Sequence, residues 1–373
     1  MNLIKLMKLT VTRFLFSSWQ STSIDQRHGY TILLPIPGDL PVFLEIALNN
    51  IAAQNQENLI EVLVIPDKPT INFRCIYERM IKSYSLPGVR LIEMSKRDQI
   101  IGRLINHASL FHFLQIINGV NNSKSTHVLL HDCDLFLSPG NFLQNHFKEC
   151  VSRDLSILGV NPRERRKGEI CHLVATWEMM ATVEWFKRFK PEQFRAQVRE
   201  VNGRTREFDT THLPQSLSNP QEISFHTINS EFVHFNYVIA TYRNFTKSSK
   251  PFEDNNFKIL LISILIDAIN TSTWQYYVPS IENCIDGLTG QDKLVSYISK
   301  ETALNYPKFR EKIEKLLMLN ILTSDAIQKI RNTINIFDKK FNWDRIPAGS
   351  VSSPAVVPEM SVPSADVVHE AKY

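Results

Sequence analysis

Apolar residues gather in short runs separated by stretches with helical spacing. Residues 30–37 (YTILLPIP) form a compact apolar run stopped by prolines, the pattern of a strand buried on both faces. Gly38 supplies a turn, Asp39 a helix cap and Pro41 a first-turn residue, after which Phe43, Ile46, Ala47 and Ile51 share one helical face. Residues 60–65 (IEVLVI) read as a second strand closed by Pro66 and Asp67. Strand, helix and strand at this spacing predict a βαβ unit with a right-handed crossover.

The alternation continues. Residues 71–84 predict a helix and 89–92 a short strand. Residues 99–118 predict a long helix carrying Leu110, Phe113, Leu114 and Ile117. The polar turn NNSKS leads into a fourth strand, 126–130 (THVLL), which runs into His131-Asp132-Cys133-Asp134. A helix near Asn141 and a fifth strand at 155–160 follow. The spacing further predicts helices over 177–189, over 209–217 with Asp209 as cap, over 253–269 and over 301–335. Residues 231–243 (EFVHFNYVIATYR) fit no single period. The sum is an α/β chain with a mostly parallel sheet and a helical C-terminal extension.

Composition narrows the class. With 373 residues, 43% hydrophobic, the chain can bury a substantial core, and a net charge of +4 is too slight for a dedicated nucleic-acid binder. Five scattered cysteines without a C-x-x-C pair indicate neither structural zinc nor a disulfide framework, and a reducing cytoplasm is the simplest compartment. Lys5, Lys8 and Arg13 interrupt the apolar N-terminus, which suits a helix or arm docked on the domain, or one resting on a membrane surface, rather than a span. The run 259–269 is too short to cross a bilayer and reads as a buried helix.

Chemistry concentrates at Asp132 and Asp134. Side chains alternate along a strand, so the two carboxylates are expected on one side and Cys133 on the other, at the carboxyl end of a buried strand where open α/β sheets bind ligands. Two uncompensated carboxylates there call for a divalent cation, and Mg²⁺ and Mn²⁺ suit oxygen donors.

The series YTILLPIPGDLPVFLEIALNNIAAQ, IEVLVIPD, the helix carrying Gly102-Arg103-Leu104-Ile105-Asn106, and THVLLHDCDLFLSPGNF resembles the donor-binding half of GT-A glycosyltransferases, near the family-two group, over about residues 28–160. The resemblance implies a GT-A Rossmann-like domain that moves a sugar from a nucleoside diphosphate sugar to an acceptor hydroxyl with inversion, in polysaccharide or glycoconjugate synthesis. Carried over, Pro35 and Ile36 lie near the base, Asp67 holds base or ribose, Arg103 approaches the diphosphate or sugar, Asp132 contacts ribose or metal, and Asp134 ligates the metal. Two departures stand out: the second strand ends in one acid, Asp67, where many members have two, and the Arg103–Asn106 spacing is looser.

An inverting transfer needs a base for the acceptor hydroxyl. Asp209 holds the matching position, or is simply a helix cap; Glu178, Glu207 and Glu231 are alternatives. Phe232-Val233-His234-Phe235-Asn236 resembles the segment where many metal-dependent GT-A enzymes place a late metal-ligating histidine, with His226 the alternate; the other reading of His234 is a core residue. Trp177, Trp185 and Phe235 are candidate sugar platforms or packing residues.

The expected organisation is an N-terminal helix or arm over 1–27, a GT-A domain over 28–250 with donor half 28–160 and acceptor half 161–250, a helical extension over 251–346 and a disordered tail over 347–373. Expected partners are a nucleotide sugar (UDP-linked before GDP-linked), a carbohydrate or glycolipid acceptor and Mn²⁺ or Mg²⁺, without nucleic acid. A nucleotidyltransferase acting on sugar phosphates, or a non-catalytic sugar-nucleotide binder, are the other readings. The nucleotidyltransferase usually carries a glycine-rich basic loop after its first strand, whereas Pro37-Gly38-Asp39 is acidic with one glycine.

Overall fold

The apolar run at 30–37 becomes the centre of a sheet. The computed structural model describes residues 15–16, 18–19, 25–105, 108–160, 172–201, 204–226, 232–247, 256–269 and 300–341. Asn106, the basic stretch 163–167, Glu231 and the tail 347–373 lie outside the described residues, as does most of the N-terminal arm.

These residues fall into two compact units, one within Met1–Ile239, Thr273–Tyr276 and Lys315–Leu322, the other within Ala240–Ser272, Tyr277–Glu314 and Thr323–Tyr373. The first holds β1 (Arg27–Pro37), β2 (Leu59–Asp67), β3 (Val89–Leu91), β4 (Ser125–His131), β6 (Ile157–Gly159), β7 (Glu178–Thr182) and β10 (Ile223–Phe225) in one sheet of order β10-β6-β7-β4-β1-β2-β3. The pairs β1–β2, β1–β4, β2–β3 and β6–β10 are parallel, and β7 runs antiparallel between β4 and β6. The expected α/β architecture with a mostly parallel central sheet is therefore what the chain forms.

Strand order fixes where a ligand can enter. From β1 the chain builds outward through β2 and β3, then returns to place β4 on the other side of β1. The order reverses between β1 and β4, and their carboxyl ends flank the crevice that such a reversal opens. Pro35, Pro37 and Pro66 withhold amide donors at the ends of β1 and β2. Gln115, on helix α4 (Ala108–Asn122), makes good part of the loss by donating from Nε2 to the carbonyls of Ile36 (3.2 Å) and Ile65 (2.5 Å). The same helix lays Gly119 against Leu33 and Ile65, where a Cβ would crowd both side chains.

The remaining helices of this unit are α1 (Val42–Ala52), α2 (Phe73–Ile81), α3 (Lys96–Ile105), α5 (Phe142–Ser152), α6 (Val183–Arg188) and α7 (His212–Leu217). Phe16 packs on Phe113 with ring centroids 5.4 Å apart, and Trp19 donates to the Phe189 carbonyl.

Four local expectations change. The single helix over 99–118 is two, α3 and α4, on either side of residues 106–107. The segment 177–189 is helical only from Val183; Glu178–Thr182 is drawn into the sheet as β7, where pairing on both edges outweighs the modest strand preference of Met and Ala. Asp209 does not cap α7: Thr211, at φ 70°, holds the cap position and Asp209 Oδ1 accepts from the Thr210 amide at 2.7 Å. The stretch 301–335 splits into α10 (Lys300–Met318) and α11 (Ser324–Phe341) around Asn320 at φ 57°, with Thr323 Oγ1 accepting from the Ala326 amide.

The described residues of the second unit are helical, comprising most of α8 (Val238–Lys247), with α9 (Asn256–Ile269), the first part of α10 and α11. Leu260, Leu261, Ile262, Ile264 and Leu265 of α9 are buried, as the apolar run requires. Tyr306 and Arg310 converge on Asp338, at 2.6 and 3.1 Å. Among the described residues no helix is long and apolar enough to cross a membrane.

Candidate active site

The crevice between β1 and β4 collects acids. Strand β4 ends at His131, and residues 132–134 form a tight turn into β5 (Leu135–Leu137). Asp132 and Asp134 thus meet through a turn, not by alternation along a strand, and Cys133 between them is buried. The turn is pinned: the Asp132 amide donates to the Trp177 carbonyl at 3.0 Å and the Leu135 amide to the Asp132 carbonyl at 3.1 Å.

A distant segment completes the group. Strand β11 (Phe232–His234) pairs antiparallel with β5, setting His234 opposite Leu135. His234 Nε2 lies 3.2 Å from Asp134 Oδ1 and 4.0 Å from Asp132 Oδ2. One ligand atom from each of Asp132, Asp134 and His234 lies within 4.8 Å of the others, the spread a single cation would draw together. The Trp177 ring stacks on the His234 ring at 4.4 Å and fixes its plane.

The electrostatics fit a cation. Desolvation, then the charges of Asp134, Asp209 and Glu178, pushes the Asp132 carboxyl well above the usual range. Burial also opposes ionisation of Asp134, but the His234 imidazole and backbone donors hold it below its ordinary value. Two neighbouring carboxylates resist joint ionisation, and a divalent ion between them removes that conflict. Two carboxylate oxygens and one imidazole nitrogen suit Mn²⁺ better than Mg²⁺, which favours an all-oxygen shell.

Around this group the other predicted residues take distinct places. Asp67 ends β2 beside the Gly38 turn, its Oδ1 accepting from the Gly38 amide at 3.2 Å. Pro35 and Ile36 are buried in β1, so only their strand's carboxyl end reaches the crevice. Arg103 lies on α3. Asp209 is exposed, and its charge acts on both Asp132 and His112. Glu207 is exposed on β9 (Arg204–Phe208), which forms a hairpin with β8 (Gln197–Val201) just before Asp209.

Glu178 cannot serve as an acceptor base, because it is wholly buried behind the turn. Its Oε2 meets His131 Nδ1 at 2.7 Å, and its Oε1 lies 3.5 Å from His146 Nδ1. Burial works against its ionisation, yet the two imidazoles hold it below its usual value. Trp185 and Phe235 are core residues, the first donating to Ser218 Oγ and the second packed on Phe136.

No protein-family model matches the chain, and no curated protein does. Solved structures resemble it loosely. The mannosyltransferase PcManGT from Pyrobaculum calidifontis, in complex with GDP-Man and Mn²⁺, is 13% identical with a TM-score of 0.41, over 91% of this chain and 90% of its own. TarS 1–349 of S. aureus in complex with UDP is 10% identical with a TM-score of 0.35, over 83% and 91%. The 4-diphosphocytidyl-2C-methyl-D-erythritol synthase of Anaerococcus prevotii is 11% identical with a TM-score of 0.30, over 43% and 74%. Below a TM-score of 0.5 these likenesses assign neither a family nor an activity.

One residue of the crevice carries no motif. His112, on α4, holds Nε2 3.6 Å from Asp132 Oδ1, while His234 Nε2 lies 4.0 Å from Oδ2. Burial lowers its pKa, and the charges of Asp209, Asp67 and Asp134 oppose that shift. The helical period marks position 112 only as a polar place between Phe111 and Phe113, so pattern gave no reason to single it out.

Proposed function

We propose that the chain is a GT-A-type glycosyltransferase that binds a nucleoside diphosphate sugar through Mn²⁺, with Mg²⁺ a weaker substitute, and transfers the sugar to an acceptor hydroxyl. The convergence of Asp132, Asp134 and His234 at the reversal point of a mostly parallel sheet carries this reading. Asp67, which ends β2 along the same edge, is assigned to base or ribose on this reading, and Arg103, on α3, to the diphosphate or sugar.

When bound, the cation supplies counter-charge for the departing diphosphate. Asp134 and His234 would hold it, with Asp132 shared between cation and ribose. On the acceptor side, Asp209 would take the proton of the attacking hydroxyl. The oxygen forms a bond to the anomeric carbon as the bond from that carbon to the diphosphate oxygen breaks, and the bonding pair leaves with the diphosphate. This in-line course inverts the anomeric centre. UDP-sugars are the first donors to try, and a saccharide or glycolipid the first acceptors, as for an enzyme of polysaccharide or glycoconjugate synthesis.

The test is a thermal-shift panel of UDP- and GDP-sugars with and without Mn²⁺, followed by donor hydrolysis in the absence of acceptor. A nucleotide-sugar shift that needs Mn²⁺ and disappears in Asp134→Ala, with hydrolysis falling at least a hundredfold, is expected. A shift with nucleoside triphosphates alone would favour nucleotidyl transfer. Donor binding without turnover would leave a binder. A wild-type protein indifferent to Mn²⁺ would end the proposal.

A further inference from the structure

The imidazole of His112 has an unspent polar atom in the crevice. Its Nε2 is buried and has no hydrogen-bond partner, while Asp132 Oδ1 stands 3.6 Å away, just beyond bonding range. A buried polar atom without a partner is costly, which implies that something else satisfies it when the site is filled.

The gap selects the chemistry of that group. An oxygen about 2.8 Å from both atoms fits beside a 3.6 Å separation. It must accept from an imidazole N–H and donate to a carboxylate at once. A hydroxyl does both, whereas a phosphate oxygen has no proton to give and would set its charge against Asp132. Of the two Asp132 oxygens, Oδ2 is the one 4.0 Å from His234 and Oδ1 the one 3.6 Å from His112, so a ligand atom shared with His112 would use Oδ1.

We propose that His112 is a ribose-binding residue, which with Asp132 Oδ1 grips a hydroxyl of the donor's ribose and makes the site selective for ribonucleotides over deoxyribonucleotides. This rests on the nucleotide-sugar reading above. The imidazole acts with its proton on Nε2, donating to the hydroxyl oxygen while the hydroxyl donates to Asp132.

Calorimetric titration at saturating Mn²⁺ tests it, with UDP and GDP compared against their 2′-deoxy and 3′-deoxy forms. The wild-type protein is expected to bind the ribonucleotide about tenfold or more tightly than at least one deoxy form, the size of one good hydrogen bond. In His112→Phe the ratio should fall toward one through weaker ribonucleotide binding, and His112→Gln, which restores an N–H at similar reach, should recover part of it. The ratio does not depend on what fraction of a variant is folded. Equal wild-type affinities for ribo and deoxy forms, or an unchanged ratio in His112→Phe, would overturn the role of His112 and leave the glycosyltransferase reading standing. No nucleoside diphosphate binding by the wild type would remove that reading, and this inference with it.

Discussion

Single residues show most plainly what a linear pattern can and cannot carry. Asp132 and Asp134 stand out because a D-x-D pair follows an apolar strand, and His234 because a histidine recurs at a late aromatic segment; the structure brings all three together. His131, Glu178 and His146 were not legible, since no spacing links positions that meet only through the pairing of β4 with β7 and the packing of α5. Glu178 is a sequence candidate for acceptor chemistry, yet its burial makes it a structural anchor: its carboxylate pairs with His131, whose neighbour is Asp132. Glu178→Leu leaves a buried imidazole without its acceptor and should cost about 3 kcal/mol, read as a lower urea midpoint at unchanged slope. A loss below about 0.5 kcal/mol would show that the pair does not hold the turn.

Among elements, the βαβ series was readable and β7 was not. Buried parallel strands announce themselves as apolar runs, but the sequence EMMAT has no such character and becomes a strand because both its edges are taken up by neighbours. The turn after β1 is equally contextual. Gly38 donates its amide to Asp67, and a Cβ there would fall on the backbone of Asp67 and Pro69, which cannot step aside as a flexible side chain would. Gly38→Ala should therefore destabilise the protein by about 2 kcal/mol or more and move Asp67 off the crevice edge, weakening nucleotide binding beyond what the loss of folded protein explains. Equal affinity per folded molecule, measured by calorimetry, would separate the turn from the site.

For the molecule as a whole, the slight net charge leaves pH sensitivity to buried groups. Burial, and then the neighbouring His28, lowers His127 from 6.5 to about 4; burial, and then His146, lowers His226 to the same value. Between those limits the unfolded chain takes up protons that the folded one refuses. Stability is thus complete above pH 6.5 and falls as the pH drops through the window to 4, by up to about 3 kcal/mol for each imidazole. Urea midpoints across pH 4–7 should show this slope, and His127→Gln should flatten part of it. A wild-type profile level over that range would contradict the depressed values. The α/β class and the helical C-terminal region were visible in the periodicity, while the split between α10 and α11 depends on one left-handed asparagine that no period reveals.

The β5–β11 pairing has a consequence for the order of events. It brings His234 to Asp134 across 100 residues of chain, so joining the imidazole to the carboxylates closes a loop of that length, at an entropic cost that grows only slowly with it. During synthesis the two aspartates precede the histidine by 100 residues or more, so a nascent chain would carry the two carboxylates without their imidazole over that stretch of its translation. On the proposed metal-dependent reading, a seated ion would clasp a long loop, and withdrawing it should loosen the segment around residues 232–237 before it disturbs the sheet.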